Sequence, residues 1–338
     1  MDVSRREFLA VAAGGLLVYG HSQDSSFGGA GGPVTAFDST VRHNPYEPLT
    51  GGMAISSETT PGVATLGCCV LDEDGTESLL TSRHLVDTEF CESGEDELVG
   101  LAVTNVEDEK IAEVTAASST TGQGSNDWLV AKLHDHDRYS NSVIGFDEIG
   151  EPKNPDVGDR IVMSGYRTGL IGGVITETGI STNLTGCLIN NISRYSIDGD
   201  AETAGNSGSL VGTVENGVFR PIGIHTFGGS DGDRYAMEIN PIIDESGLTI
   251  EGGEANHGEP AYPFEQVEAT VIDFNGDVLV SNLDTSTAEA DVLIIDSDGD
   301  EIDSHSLDLD GGENRIVSTA YEPGDQLRIN DETTEIAH

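Results

Sequence analysis

Short apolar runs separated by turn residues set the pattern of this chain. From residue 63 onward they predict strands at 63–71, 78–81, 98–106, 128–133, 160–164, 172–176, 188–195, 209–214 and 221–226, with a turn at 72–75. This spacing favours an all-β sandwich or a pair of barrels over a parallel sheet with crossover helices. A stretch rich in Gly, Glu and Pro at 252–263 reads as a linker, and six further strands are expected at 267–274, 278–283, 290–296, 301–309, 315–320 and 326–330. The latter group predicts a small β-sandwich of immunoglobulin type without a Cys-Trp-Cys core. Residues 21 to about 60 are rich in Gly, Ser, Thr and Pro and read as a linker or pro-segment. The glycine run at 28–33 is no phosphate-binding loop, because no strand precedes it and no Lys-Ser or Lys-Thr closes it.

Composition sharpens this picture. A length of 338 residues suggests about two domains, and 43 glycines agree with β structure. Aromatic residues make up only 5%, so the cores must be built from Val, Ile, Leu and Ala. Asp and Glu number 61 against 15 Lys and Arg, a net charge of −46. Such a surface repels nucleic acid and anionic membranes, whose binding depends on cations displacing counterions. Only Lys110, Lys132 and Lys153 are lysines, a depletion that suggests adaptation to high salt, where screening removes carboxylate repulsion. A disordered acidic chain is the alternative, and the 36% apolar content gathered into strand-length runs argues against it.

The amino terminus resembles a twin-arginine export signal. Arg5-Arg6-Glu7-Phe8-Leu9 precedes an apolar run at 10–19 that is short for a membrane span. No Cys follows it to carry a lipid, and no clean Ala-x-Ala cleavage site is present, so membrane contact is expected only through a signal that stays uncleaved. The expected location is extracellular or at the cell surface. An oxidising compartment makes the four cysteines candidates for disulfides. Cys68 and Cys69 are adjacent and poorly placed to pair with each other. One of them is expected to bridge to Cys91, with Cys187 taking the other or staying free. No Cys-x-x-Cys or His-x-x-x-His spacing supports a metal site, and no cofactor is implied. Asp296-Ser297-Asp298-Gly299-Asp300-Glu301 offers alternate oxygen ligands but lacks the features of an EF-hand loop, and a hairpin turn accounts for it.

Three local contexts carry chemistry. Leu79-Leu80-Thr81-Ser82-Arg83-His84 delivers a histidine from an apolar strand onto a loop. Asp127 stands at the mouth of the apolar strand that begins with Trp128. Gly205-Asn206-Ser207-Gly208 places a serine between small residues before another strand. Each alone is weak, since a histidine at a strand end is commonly structural and Gly-x-Ser-Gly is commonly a turn. Together, in the order His, Asp, Ser, they match a nucleophilic triad. Serine needs a base to take its proton, which His84 can supply, and Asp127 can orient the imidazole. The amides of Gly205 and Ser207 can converge on a developing oxyanion if the loop adopts a turn that Gly205 and Gly208 permit.

With these motifs, residues 60–250 resemble a trypsin-like serine protease of the chymotrypsin fold, two six-stranded β-barrels with the site between them. Met163 to Gly169 with Gly172-Gly173-Val174-Ile175 is similar to the segment that opens the second barrel in bacterial members. Gly223-Ile224-His225-Thr226-Phe227-Gly228-Gly229 is similar to the strand that flanks the substrate. The implied organisation is a signal at 1–20, a linker or pro-segment at 21–59, the protease at 60–250, a linker at 251–263 and a β-sandwich at 264–338. Animal members carry Asp before the serine and use it in an activation ion pair, which Asn206 cannot form. Gly205-Asn206-Ser207-Gly208-Ser209 is instead similar to bacterial glutamyl endopeptidases. That resemblance implies a secreted endopeptidase acting through an acyl-enzyme on proteins or peptides, with Thr203, Gly223 and His225 as substrate-binding residues. His225 would meet an acidic side chain before the scissile bond. Asp200 and Glu202 point the other way, because a carboxylate in the pocket favours Arg or Lys. The competing function is a catalytically silent protease-fold protein that serves binding or adhesion.

Overall fold

The computed structural model describes residues 2–3, 49–60, 62–72, 74–87, 94–106, 108–118, 126–134, 139–146, 148–184, 187–199, 203, 205–228, 233–250, 267–271, 277–282, 287–296, 298–310, 313–321, 325–330 and 332–336. Their architecture is all-β, as the pattern predicts, and it falls into two barrel-forming sheets followed by a sandwich.

The first sheet contains β3 (Ala54–Ser57), β4 (Val63–Thr65), β5 (Cys68–Leu71), β6 (Glu77–Ser82), β7 (Ala102–Thr104), β8 (Lys110–Ala117) and β9 (Trp128–Leu133), in the order β4-β3-β7-β8-β9-β6-β5. A short parallel pair, β2 (Leu49–Gly51) with β10 (Tyr139–Val143), lies beside it. Leu79, Val103, Val114, Leu129 and Ala131 fill its interior. The second sheet comprises β11 (Arg160–Gly165), β12 (Gly169–Leu184), β13 (Cys187–Ile197), β14 (Leu210–Glu215), β15 (Val218–Gly228) and β16 (Arg234–Glu238). Because β13 pairs with both β12 and β16, these strands close on themselves as a barrel. The two-residue β1 (Asp2–Val3) adds to β12 in parallel. An Asn216-Gly217 turn, with φ of 56° and 83°, joins β14 to β15 and supplies the left-handed geometry of a tight hairpin.

The structure departs from the sequence pattern at several places. The run expected as one strand at 63–71 breaks at Leu66 and Gly67. There the Leu66 amide turns to the Met53 carbonyl and the Gly67 amide to Leu80. Strands β2 and β3 lie inside the stretch that composition suggested was linker. The apolar run at 98–106 supplies only β7, and β8 lies beyond it. Strand β12 continues far past the expected 172–176 as an extended hairpin with β13. A helix, Ile239–Ser246, buries Ile239 and Ile242 and ends on Gly247 in the left-handed region.

The cysteine expectation is corrected. Cys68 and Cys69 are thiols outside any disulfide, both buried. As neighbours on one strand they point to opposite faces, and each joins a different apolar core. Burial pushes the Cys68 thiol well above its usual range, so it behaves as a small apolar residue. Cys91 and the side chain of Cys187 lie outside the described residues.

The carboxy-terminal strands are β17 (Val267–Val271), β18 (Asp277–Asn282), β19 (Ala288–Ile295), β20 (Glu301–Leu309), β21 (Asn314–Ser318), β22 (Gln326–Ile329) and β23 (Glu332–Glu335). They form sheets ordered β17-β18-β21 and β20-β19-β22-β23, with Val278, Val280, Val292, Ile294 and Ile329 packed between them. This is the expected β-sandwich, with one strand more than the pattern showed. Leu279 faces away from that core and joins the cluster that contains Phe219 of β15. The acidic turn is a hairpin: Asp296 Oδ1 accepts the amides of Asp298 and Asp300, each at 2.9 Å. Asp72 does the same for Asp74 and Thr76 at 3.0 and 2.7 Å. Apart from Asp2–Val3, the export segment lies outside the described residues, as do the glycine run and the stretch 251–266. Among the described residues no helix is long and apolar enough to cross a membrane.

Candidate active site

Strand register brings His84 and Asp127 together. Antiparallel pairing of β6 with β9 sets Ser82 opposite Trp128, and the Arg83 amide continues the ladder to the Asp127 carbonyl at 3.2 Å. The chain then turns through a short 3₁₀ segment, Arg83–Leu85, which swings His84 over the neighbouring strand mouth. Asp127 is fully buried and holds this turn twice. Its Oδ1 accepts the His84 amide at 3.0 Å and its Oδ2 accepts His84 Nδ1–H at 2.7 Å. Fixing the proton on Nδ1 leaves Nε2 as the basic nitrogen. Burial disfavours the charged ring, but the Asp127 carboxylate, its hydrogen bond and the more distant Asp87 outweigh that cost and raise the His84 pKa. The turn itself is braced by Arg83, which is buried and reaches Asp87 through Nε at 3.1 Å and a terminal nitrogen at 2.9 Å. A further Arg83 nitrogen donates to the Ser118 carbonyl.

Ser207 comes from the other barrel. The Thr65 amide donates to the Ser207 carbonyl at 2.7 Å, and the Thr65 hydroxyl donates to the Gly205 carbonyl at 3.2 Å. Gly208, at φ 95°, lies so close to Thr65, Thr81 and Ser82 that a Cβ would overlap the Thr65 carbonyl and the Thr81 hydroxyl. Gly205, at φ 98°, faces the Tyr166 ring, 2.7 Å from where its Cβ would be. Asn206 is buried and ties the loop to the turn after β11. Its Oδ1 accepts the Arg167 amide at 3.0 Å and its Nδ2 donates to Thr168 Oγ1 at 2.7 Å. Asn206 is therefore a neutral anchor for the serine loop. The Ser207 hydroxyl donates to the Thr226 carbonyl at 3.2 Å.

The strand β15 runs past this serine. Its register against β16 shifts between His225 and Phe227, which sets the Thr226 carbonyl apart from the ladder and toward Ser207. The His225 carbonyl accepts the Gly208 amide at 2.8 Å and the Ser82 hydroxyl at 3.3 Å, linking both barrels at one atom. The His225 ring is buried and its Nδ1 meets the Tyr195 hydroxyl at 2.7 Å. Burial, with help from the nearby Arg234 and His84 charges, pushes the His225 pKa down to about 3. It is therefore a neutral ring at physiological pH. The Thr203 carbonyl accepts the Asn206 amide at 3.0 Å. Gly223 lies within the sheet, where a Cβ would press on Met237 and Ala236, so its small size serves strand packing. Asp200 and Glu202 lie outside the described residues. Among the described residues no cluster of His, Cys, Asp and Glu could hold a metal ion.

Thr65 and the carbonyl of Thr226 were missed by sequence reasoning. A threonine in a strand and a backbone carbonyl carry no local signal, and their roles arise only from the packing of one barrel on the other.

No protein-family model matches the sequence, and no curated protein matches it significantly. Among solved structures, the chain is similar to Thermobifida fusca protease A, with 17% identity over 60% of this chain and 98% of that one at a TM-score of 0.46. A serine protease described as glutamic acid specific, with a histidine triad in substrate binding, shares 17% identity over 60% of this chain and 100% of its own, at 0.47. The Nocardiopsis protease shares 17% over 59% and 97%, at 0.45. With TM-scores below 0.5, these likenesses carry none of the functional argument, which rests on the side chains above.

Proposed function

We propose that this chain is a serine endopeptidase in which Ser207 is the nucleophile, His84 the general base and acid, and Asp127 the group that orients the imidazole. The observation that carries the reading is the doubly held His84–Asp127 pair at one end of β6 and β9, with the Ser207 loop pinned against the same strand end. A hydroxyl has one proton, so Ser207 must rotate from the Thr226 carbonyl toward His84 Nε2 to be activated. Its Oγ then attacks the peptide carbonyl carbon while the proton passes to Nε2. The carbonyl oxygen becomes an oxyanion facing the amides of Gly205 and Ser207. Collapse breaks the C–N bond, with His84 returning the proton to the leaving amine, and water activated by the same nitrogen hydrolyses the acyl-enzyme. Asp127 stabilises the imidazolium throughout without taking its proton.

The substrates are proteins or peptides, with an acidic residue before the scissile bond, and β15 pairs with the extended peptide beside Thr203 and His225. The twin-arginine segment and the acidic, lysine-poor composition support export into a salty medium outside the cell. The sandwich after residue 264 is an accessory unit that packs on the protease through Leu279. Fluorophosphonate treatment in molar salt, followed by mass spectrometry, should place the adduct on Ser207 and lose it in Ser207→Ala. Labelling that persists in this variant would refute the nucleophile, and no labelling of the native protein would favour the silent binding or adhesion protein. A peptide library reports specificity: cleavage after Glu is expected, and cleavage after Arg or Lys would shift the role to Asp200 or Glu202.

A further inference from the structure

The charge that selects an acidic side chain has to come from somewhere, and His225 does not supply it. The ring is buried, and the Tyr195 hydroxyl at 2.7 Å occupies Nδ1. At physiological pH it supplies no cation.

The register of β15 on β16 puts a permanent cation close by. His225 stands opposite Ala236 and Gly228 opposite Arg234, so Arg234 flanks the same strand just beyond the Thr226 carbonyl that holds Ser207. Gly228 is where the side chains converge. A Cβ there would sit 3.2 Å from Arg234 Cδ, 3.4 Å from its Nε and 3.4 Å from the Thr203 hydroxyl. The bare Cα of Gly228 thus leaves a guanidinium and a hydroxyl side by side next to the strand proposed to bind substrate. One Arg234 nitrogen donates to the Asp233 carbonyl at 3.2 Å, which anchors the stem of the group. The positive charge of Arg234 also acts on His225 and on Tyr195, in each case against a further positive charge or toward the phenolate.

We propose that Arg234 is the specificity-determining residue of the substrate pocket, the cation that receives the carboxylate of a Glu or Asp before the scissile bond, with the Thr203 hydroxyl as a neutral donor beside it and the His225 ring as a neutral neighbour. This rests on the endopeptidase reading, and it moves the electrostatic role from the histidine to the arginine. Guanidinium matches carboxylate in planar geometry and in charge, and it keeps its proton at every accessible pH. Acid selectivity should therefore persist above pH 8, where a histidine-based receptor would be neutral.

The test separates this assignment from the triad. Product-like peptides ending in Glu or in Gln are titrated into the full chain, Arg234→Gln and Arg234→Lys, and each protein is treated with an uncharged fluorophosphonate. The native protein should bind the Glu peptide more tightly by on the order of a hundredfold, the strength of a charge-assisted pair. Arg234→Gln should erase that preference and Arg234→Lys should keep part of it, with Ser207 still accepting the label in both as the sign of a folded protein. Equal affinity for the two peptides in the native protein, or a Glu preference that survives in a labelled Arg234→Gln, overturns the proposal. Should Arg234→Gln fail to label through misfolding, Arg234→Lys decides: weakened Glu preference supports the proposal and an unchanged one overturns it. Arg234-dependent Glu binding in a native protein that never labels would refute the triad while upholding the pocket.

Discussion

His84 and His225 come from the two barrels that meet at the Ser207 loop, both drawn in from solvent, and their surroundings drive their properties apart. Beside His84 a buried carboxylate outweighs desolvation, and the ring is made a stronger base. Beside His225 there is a neutral phenol and a guanidinium, so burial and repulsion act together and the ring stays uncharged. Burial is common to both and decides neither role. The partner decides, because a carboxylate stabilises imidazolium while a hydroxyl only orients imidazole.

The comparison breaks most sharply at Asp127. Asp127→Asn should lower kcat by about 10⁴, since the amide leaves the His84 tautomer unfixed and the imidazolium unsupported. Steady-state kinetics on a peptide substrate would check this, and a loss under tenfold would mean that Asp127 is only a structural cap for the 84 turn. The next effect is in pH dependence. With neutral His84 as the proposed base, kcat/KM should rise with pH through a midpoint above the ordinary histidine value of 6.5, and Asp127→Asn should move that midpoint down. Conversely, the protonated pair stabilises the fold below pH 6.5, and this contribution fades as pH rises through the raised pKa.

His225 carries the opposite sign. Its folded pKa of about 3 lies below the unfolded value of 6.5, so the unfolded chain binds the extra proton and stability falls as pH drops from 6.5 toward 3. Urea unfolding across that window should show the loss, and His225→Gln should flatten the slope. The smallest effect is expected at Tyr195→Phe. Removing the hydroxyl takes the 2.7 Å partner from buried His225 Nδ1 and should cost about 1–3 kcal/mol in urea unfolding. The His84 midpoint should not move.

The two sides of the site also differ in how much of them can be read from the chain. His84 and Asp127 sit next to strands β6 and β9, and the latter was expected at the residues where it is found, so their apposition follows from strand ends in register. Strand β20 was legible for the same reason, as a run between turn residues. The exposed polar residues Lys110, Glu113 and Thr115 hid β8, because its outward face is wet. Glycine and threonine hid the length of β12, whose far half projects as a hairpin. On the Ser207 side, the loop motif was visible but its fastenings were not. Thr65 is 142 residues away in the chain, and Asn206 showed only what it could not do. The pocket was least legible, since Arg234 reaches Gly228 only through a cross-strand pairing that a bulge at Thr226 displaces.

Closure of the second barrel bears on how crowded molecules of this protein behave. An open sheet offers a row of unused amides and carbonyls to a neighbouring molecule, and most acidic proteins keep neighbours away by mutual repulsion. Molar salt shortens the reach of that repulsion to about 3 Å, less than the spacing of adjacent strands. A barrel in which β12 returns to β13 spends its backbone bonds internally, so colloidal protection there comes from geometry and survives when charge no longer acts at a distance.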